Sequence, residues 1–241
     1  MLTRILACAL LALPAAADPP TRPDIRDFRP SQHGFHFVNH FTGPAVDLGG
    51  MSNLFPGSGS YGLCGGMAMT AADAYLAGAP LPDNTTAPAR GTPQHSWIYQ
   101  RQSASLGWWG WNGLRIARFV TMTEPSAHAA NADQLARIRD RLAVGEPAPL
   151  CLIYRPAWEN AALWENHQVL GYNAVDRPDG SVDIRVYDSN YPHHDGVVVR
   201  FSPAEGAGFT AQRIVPGRRG TRPVHAVILM HYTPRPVPAD L

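Results

Sequence analysis

The chain has 241 residues, 45% of them apolar, which is enough to bury one sizeable core, and its length fits one domain slightly better than two. Lysine and arginine total 20 against 19 aspartate and glutamate, a formal net charge of +1 with no long run of either sign. That balance gives no electrostatic case for nucleic acid or an anionic membrane as partner and leaves a small neutral or peptide-like substrate.

The first twenty residues read "MLTRILACALLALPAAADPP": one arginine, an apolar run from Ile5 to Leu13, then Ala15, Ala16 and Ala17 before a polar, proline-rich stretch. This is the pattern of a secretory signal, too short to span a bilayer. The expected organisation is a signal over residues 1–17 and a single domain over 18–241, exported to the periplasm or the outside, with no membrane span once the signal is removed. Cys8 precedes most of the apolar run, which argues against lipid attachment. Residues 18–32 and 233–241 are rich in proline and read as tails or edge coverings, so the core is expected over about 33–232.

"YGLCGGMAMTAADAY", residues 61–75, predicts a helix from about Cys64 to Ala77, with Met67, Ala71, Ala74 and Tyr75 on one face and Gly78 as its terminator. Gly62, Gly65 and Gly66 would leave room for a substrate to approach the backbone. A second helix is expected over 96–106 with Ser96 as cap, and a third over 131–145, where Asn131 and Gln134 resemble a capping pair and Gly145 closes the element. Between them "LGWWGWN" clusters Trp108, Trp109 and Trp111, either a plug under a loop or a wall of a substrate cleft. After Gly145 the pattern changes to short apolar runs, "PLCLIY", "HQVLGYNAV", "SVDIRVYD", "GVVVRF" and "VHAVILMHY", of which the second and third, joined by "DRPDG", read as a hairpin. Helices followed by a mainly antiparallel sheet make an α+β fold.

Two cysteines remain beyond the signal. Cys151 sits in a continuous apolar run, the setting of an inert buried thiol, although in an oxidising compartment it could pair with Cys64. Cys64 opens a helix, where free backbone N–H groups and the positive end of the helix dipole favour thiolate over thiol. A thiol nucleophile needs a base and an orienting group. His167, at the mouth of a strand, is the candidate base, and Asp188, at the end of the partner strand, the candidate orienting group, with Asn190 as the alternative. Counted from Asp179 in the turn, His167 lies twelve residues before and Asp188 nine after, so bringing them side by side needs a bulge or a short overhang. The histidines of "HGFHFVNH" (His33, His36, His40) and "YPHHD" (His193, His194) lack a cysteine or HExxH framework, and no metal or other cofactor is expected.

With "LCGGM", then "NHQVLGY", then "VYDSNYP", the sequence resembles the papain-like cysteine peptidase superfamily, in particular its secreted bacterial members, over most of residues 52–201. The layout is similar to that of bacteriocin leader peptidases, whose "GxPxxxxI" strand is loosely matched by "GEPAPLCLIY". The resemblance implies a papain-like fold with the cysteine helix packed on the sheet, Cys64 as nucleophile, His167 as base and Asp188 as its orienting residue. It also implies a peptide or other amide or acyl substrate. One departure stands out: such enzymes carry a glutamine shortly before the cysteine for the oxyanion, whereas residues 53–63 read "NLFPGSGSYGL". The N–H of Cys64, Asn53 and Ser58 are the remaining oxyanion candidates. The missing glutamine equally suits a papain-like module that binds a peptide, glycan or partner protein without chemistry.

Overall fold

The computed structural model describes residues 22–43, 60–107, 111–154, 165–217 and 221–241. The signal-like residues 1–17, Asn53, Ser58, Trp108 and Trp109 lie outside them, so those expectations have no structural counterpart here. A 3-10 turn (Ile25–Asp27), α1 (Pro30–His33), β1 (Phe41–Thr42) and β2 (Ser60–Tyr61) lead into α2 (Cys64–Ala77). Next come α3 (Pro93–Leu106), α4 (Trp111–Val120) and α5 (Glu124–Ala143). The strands β3 (Ala148–Ile153), β4 (His167–Asp176), β5 (Val182–Tyr187), β6 (Val198–Pro203), β7 (Phe209–Ile214), β8 (Arg222–Val224) and β9 (Ala226–Leu229) follow. They form one seven-stranded sheet in the order β8-β7-β6-β5-β4-β3-β9, with every neighbouring pair antiparallel. The fold is therefore α+β, helices first and sheet second.

α2 is buried from Gly65 to Ala74 because its residues are small, and it ends where Gly78 turns left-handed at φ 63°. Its glycines serve packing. A Cβ on Gly66 would lie 2.0 Å from the Ile98 carbonyl oxygen, and one on Gly65 would lie 2.5 Å from both Gln168 Oε1 and Ser105 Oγ. The room expected there for substrate is filled by α3 and β4. The space at Gly62 is likewise occupied, by the Asn39 side chain.

α3 starts three residues before the expected Ser96, with Thr92 as its cap accepting the His95 N–H. α4, with Trp111 as its first residue, is a helix that the tryptophan cluster concealed. α5 begins well upstream of Asn131, after Thr123 and with proline in its first turn. Asn131 and Gln134 consequently sit in mid-helix and cap a strand instead of a helix. Asn131 Oδ1 accepts the Val227 N–H at 2.9 Å and Gln134 Oε1 accepts the Leu229 N–H at 2.8 Å, both along β9. Asn131 Nδ2 donates to the Phe209 carbonyl of β7 at 3.0 Å, so one side chain ties the two ends of a curled, nearly closed sheet.

The core begins earlier than the composition of residues 18–32 suggests. Ile25 and Phe28 are fully buried, the Ile25 N–H donates to the Gly145 carbonyl, and Phe28 packs against Tyr75, Tyr172 and Tyr187. Two apolar side chains within a proline-rich stretch are enough to dock it. At the other end, Asp73 on α2 forms a buried ion pair with Arg101 on α3 (Nε to Oδ2, 2.8 Å), and Arg101 Nη2 donates to Asp73 Oδ1 at 3.2 Å. Asp73 Oδ1 also accepts from Tyr232 Oη and the Arg235 N–H, while Arg101 donates to the Thr233 carbonyl, which fastens the C-terminal segment to both helices. Among the described residues no helix is long and apolar enough to cross a membrane.

Candidate active site

The sequence places Cys64 at the first residue of α2, and the fold brings that helix end to the start of β4. The helix has no side-chain cap. Its opening N–H groups find other acceptors: Asn39 Oδ1 accepts from Leu63 at 2.6 Å and Gln102 Oε1 from Gly66 at 2.9 Å. The sulfur itself accepts from the Gly65 N–H and from the Gln168 N–H, the latter at 3.3 Å. Among the described residues the N–H of Cys64 has no acceptor, so a donor stands free beside the sulfur. Cys64 is partly exposed, whereas Cys151 is buried, and both thiols are free.

His167 and Asp188 meet because of one extra residue. β4 and β5 pair in one register from Asp176↔Val182 to Asn173↔Arg185 and in another from Gly171↔Val186 to Leu170↔Tyr187, with a bulge at Tyr172 between them. Without the bulge, Asp188 would fall opposite Leu170 and project from the face away from His167. With it, Asp188 follows Val182, Ile184 and Val186 onto the face that carries His167 and Val169. His167 Nε2 then lies 2.6 Å from Asp188 Oδ1. Asn190 is close but secondary. Its Nδ2 is 3.3 Å from the same ring nitrogen, and its backbone N–H donates to Asp188 Oδ1 at 3.0 Å. With Nε2 committed to Asp188, Nδ1 is the ring nitrogen left for the hydrogen bond to Cys64.

The electrostatics follow from burial and charge acting in opposite directions. Burial pushes the Cys64 thiol up, but the hydrogen bond and charge of His167 and the N–H groups of Gln168 and Gly65 more than offset it, leaving the thiol below its ordinary value. Burial pulls His167 down, but Asp188 and the Cys64 sulfur raise it to about 10. Burial likewise pushes Asp188 up, and His167, Arg213 and the Asn190 N–H hold it below the usual carboxylate range. These directions favour a thiolate beside an imidazolium, with the Asp188 carboxylate behind them. At Cys151 burial and the charge of Cys64 outweigh the opposing charge of Arg115, so the thiol is pushed up and stays neutral.

Arg213 is the residue that sequence reasoning missed. It lies on β7, a strand not foreseen, and donates from Nη1 to Asp188 Oδ2 at 2.9 Å. Its signal was available as an arginine in phase with the buried Ala211 and Val215, between outward-facing Gln212 and Ile214. The histidine groups gather no ligand set. The rings of His36 and His193 meet edge-on at 4.6 Å, and among the described residues no three His, Cys, Asp or Glu side chains converge to hold a metal ion. No protein-family model, curated protein or solved structure matches the chain.

Proposed function

We propose that this protein is an exported thiol hydrolase of papain-like type, a cysteine peptidase or amide hydrolase that acts on a peptide or other acyl substrate. The observation that carries the reading is the sulfur of the partly exposed residue Cys64, at a helix start, which accepts from the Gly65 and Gln168 N–H groups and is hydrogen-bonded to a His167 whose far nitrogen rests on Asp188. In the acylation step the Cys64 thiolate attacks the substrate carbonyl carbon, and the oxygen takes up the negative charge beside the Cys64 N–H. His167 donates its Nδ1 proton to the departing amine as the carbon–nitrogen bond breaks, which leaves a thioester. Water then gives a proton to His167 and attacks the thioester, and the acid leaves as the thiolate returns. An amine in place of water would make the same site an acyltransferase. Asp188 keeps the imidazole in one orientation and supports its positive form.

Alkylation by iodoacetamide, followed by mass spectrometry against pH, tests the reading without a known substrate. Cys64 should label rapidly well below an ordinary thiol pKa of about 8.5, and His167→Ala should return it to ordinary behaviour. Ordinary behaviour in the wild-type protein would overturn the proposal and favour the binding module.

A further inference from the structure

Asp188 is fully buried, and both of its oxygens are engaged: Oδ1 by His167 and the Asn190 N–H, Oδ2 by Arg213. A carboxylate at that depth stays ionised only while a cation faces it. His167 is a cation for part of the proposed cycle alone, since it must surrender its proton to the leaving group. Without a second cation, Asp188 would at that moment be left buried with no positive charge facing it, and the imidazole it orients would be free to turn.

Arg213 is built to fill that gap. Its guanidinium lies between two aromatic rings, 5.5 Å from the centre of Tyr154 and 5.4 Å from that of Tyr191. Its Nε is buried without a hydrogen-bond partner, so Asp188 and the rings account for its position. Tyr191 belongs to the same turn as Asp188, with its N–H donating to the Asp188 carbonyl at 2.8 Å. β7 points Arg213 inward, since it pairs with the inward Val199 of β6 in the register that carries Ile184 of β5. Arginine is in general the side chain that holds its charge most firmly, and its planar fork suits a carboxylate.

We propose that Arg213 is a positioning residue of the Cys64, His167 and Asp188 site, a permanent counter-ion that keeps Asp188 ionised through the steps in which His167 has given up its proton. The inference rests on the acyl-transfer reading above. It assigns to β7 a part in the chemistry that the three-residue description does not contain. Acting through Asp188, Arg213 also governs the resting site: if the carboxylate is protonated, the imidazolium loses its support, and the proton returns to sulfur.

The test compares iodoacetamide labelling of Cys64 against pH in the wild type, Arg213→Met and Arg213→Lys, with far-ultraviolet circular dichroism to verify folding. Arg213→Met should move the acid limb of the profile up by about one pH unit, which is about tenfold slower labelling on that side. Arg213→Lys, which restores the charge without the planar fork, should recover part of the shift. An arginine that merely packs between two tyrosines would change melting and leave the limb in place, and coincident limbs in folded wild type and Arg213→Met would overturn the proposal. If Arg213→Met does not fold, the double variant Asp188→Asn/Arg213→Met decides the matter. Recovery of folding means that the stranded carboxylate was the fault and supports the counter-ion role; continued failure assigns Arg213 to packing and overturns it. A wild-type profile typical of a free thiol would remove the acyl-transfer reading itself, whereas a shifted wild-type profile unmoved by Arg213→Met removes only the part given to Arg213.

Discussion

Asp73 and Asp188 are both fully buried and both face an arginine, and their electrostatics go opposite ways. Burial pushes Asp73 up, and Arg101, the Arg235 N–H and Tyr232 do not bring it back to its ordinary value. Burial also pushes Asp188 up, yet His167, Arg213 and the Asn190 N–H carry it below. The difference lies in the number of cations in contact, one for Asp73 and two for Asp188. It also lies in where each network ends. The Asp73 network closes on itself between α2, α3 and the C-terminal segment, whereas the Asp188 network runs through His167 to the thiol of a partly exposed cysteine. A buried ion pair by itself thus marks architecture; one that ends on a partly exposed cysteine is what the proposed chemistry calls for.

The comparison breaks most visibly at Asp73. Arg101→Met strands a fully buried carboxylate and should lower the unfolding free energy by about 3–5 kcal/mol in a denaturant titration, while Cys64 in the folded fraction keeps the wild-type labelling profile. A changed profile would join the two networks and end the distinction.

A smaller effect separates them by pH. In the unfolded chain His167 loses its proton near 6.5 and Cys64 near 8.5, while native His167 keeps its proton up to about 10. Above about 8.5 the native state alone holds the proton, so stability falls as pH rises toward 10. In Cys64→Ala the unfolded state has lost its proton above about 6.5 while the raised native His167 keeps one. The decline should begin there and reach about 1–2 kcal/mol by pH 8.5, read from melts across the range.

The smallest effect sharpens the assignment within the site. Asn190 shares the ring nitrogen of His167 at 3.3 Å, against 2.6 Å for Asp188. Asn190→Ala should change Cys64 labelling by less than the equivalent of about 0.5–1 kcal/mol, whereas Asp188→Asn should abolish the low-pH reactivity. Equal effects would make the two residues joint partners of His167.

The legible parts of the molecule were those written in local spacing. Cys64 at a helix start, Gly78 as terminator and the hairpin around "DRPDG" could all be read from neighbours a few residues apart. Even the bulge was legible as a counting mismatch between His167 and Asp188, though not its position at Tyr172, which depends on how β5 packs. What escaped was set by distant partners. Asn131 and Gln134 look like a helix cap when only the next few residues are considered, and become strand caps because β9 lies beside them. Arg213 sits on a six-residue strand of mixed composition whose alternation gains meaning only once Asp188 is known to lie across the sheet. The glycines of "CGGM" were read as space for a ligand because the helix that fills it, α3, lies about thirty residues further along the chain.

The side chains that α5 lends to β9 also bear on how copies of this protein meet. A sheet with two exposed rims invites another chain to add a strand, the first step toward aggregation. At one rim the Val227 and Leu229 N–H groups are already taken by Asn131 and Gln134. At the other, β8 is three residues long and carries Arg222 and Pro223, the latter without an N–H to offer. Both rims are blunted against self-templating, a property that suits a protein whose seven-stranded sheet is built from residues between Ala148 and Leu229.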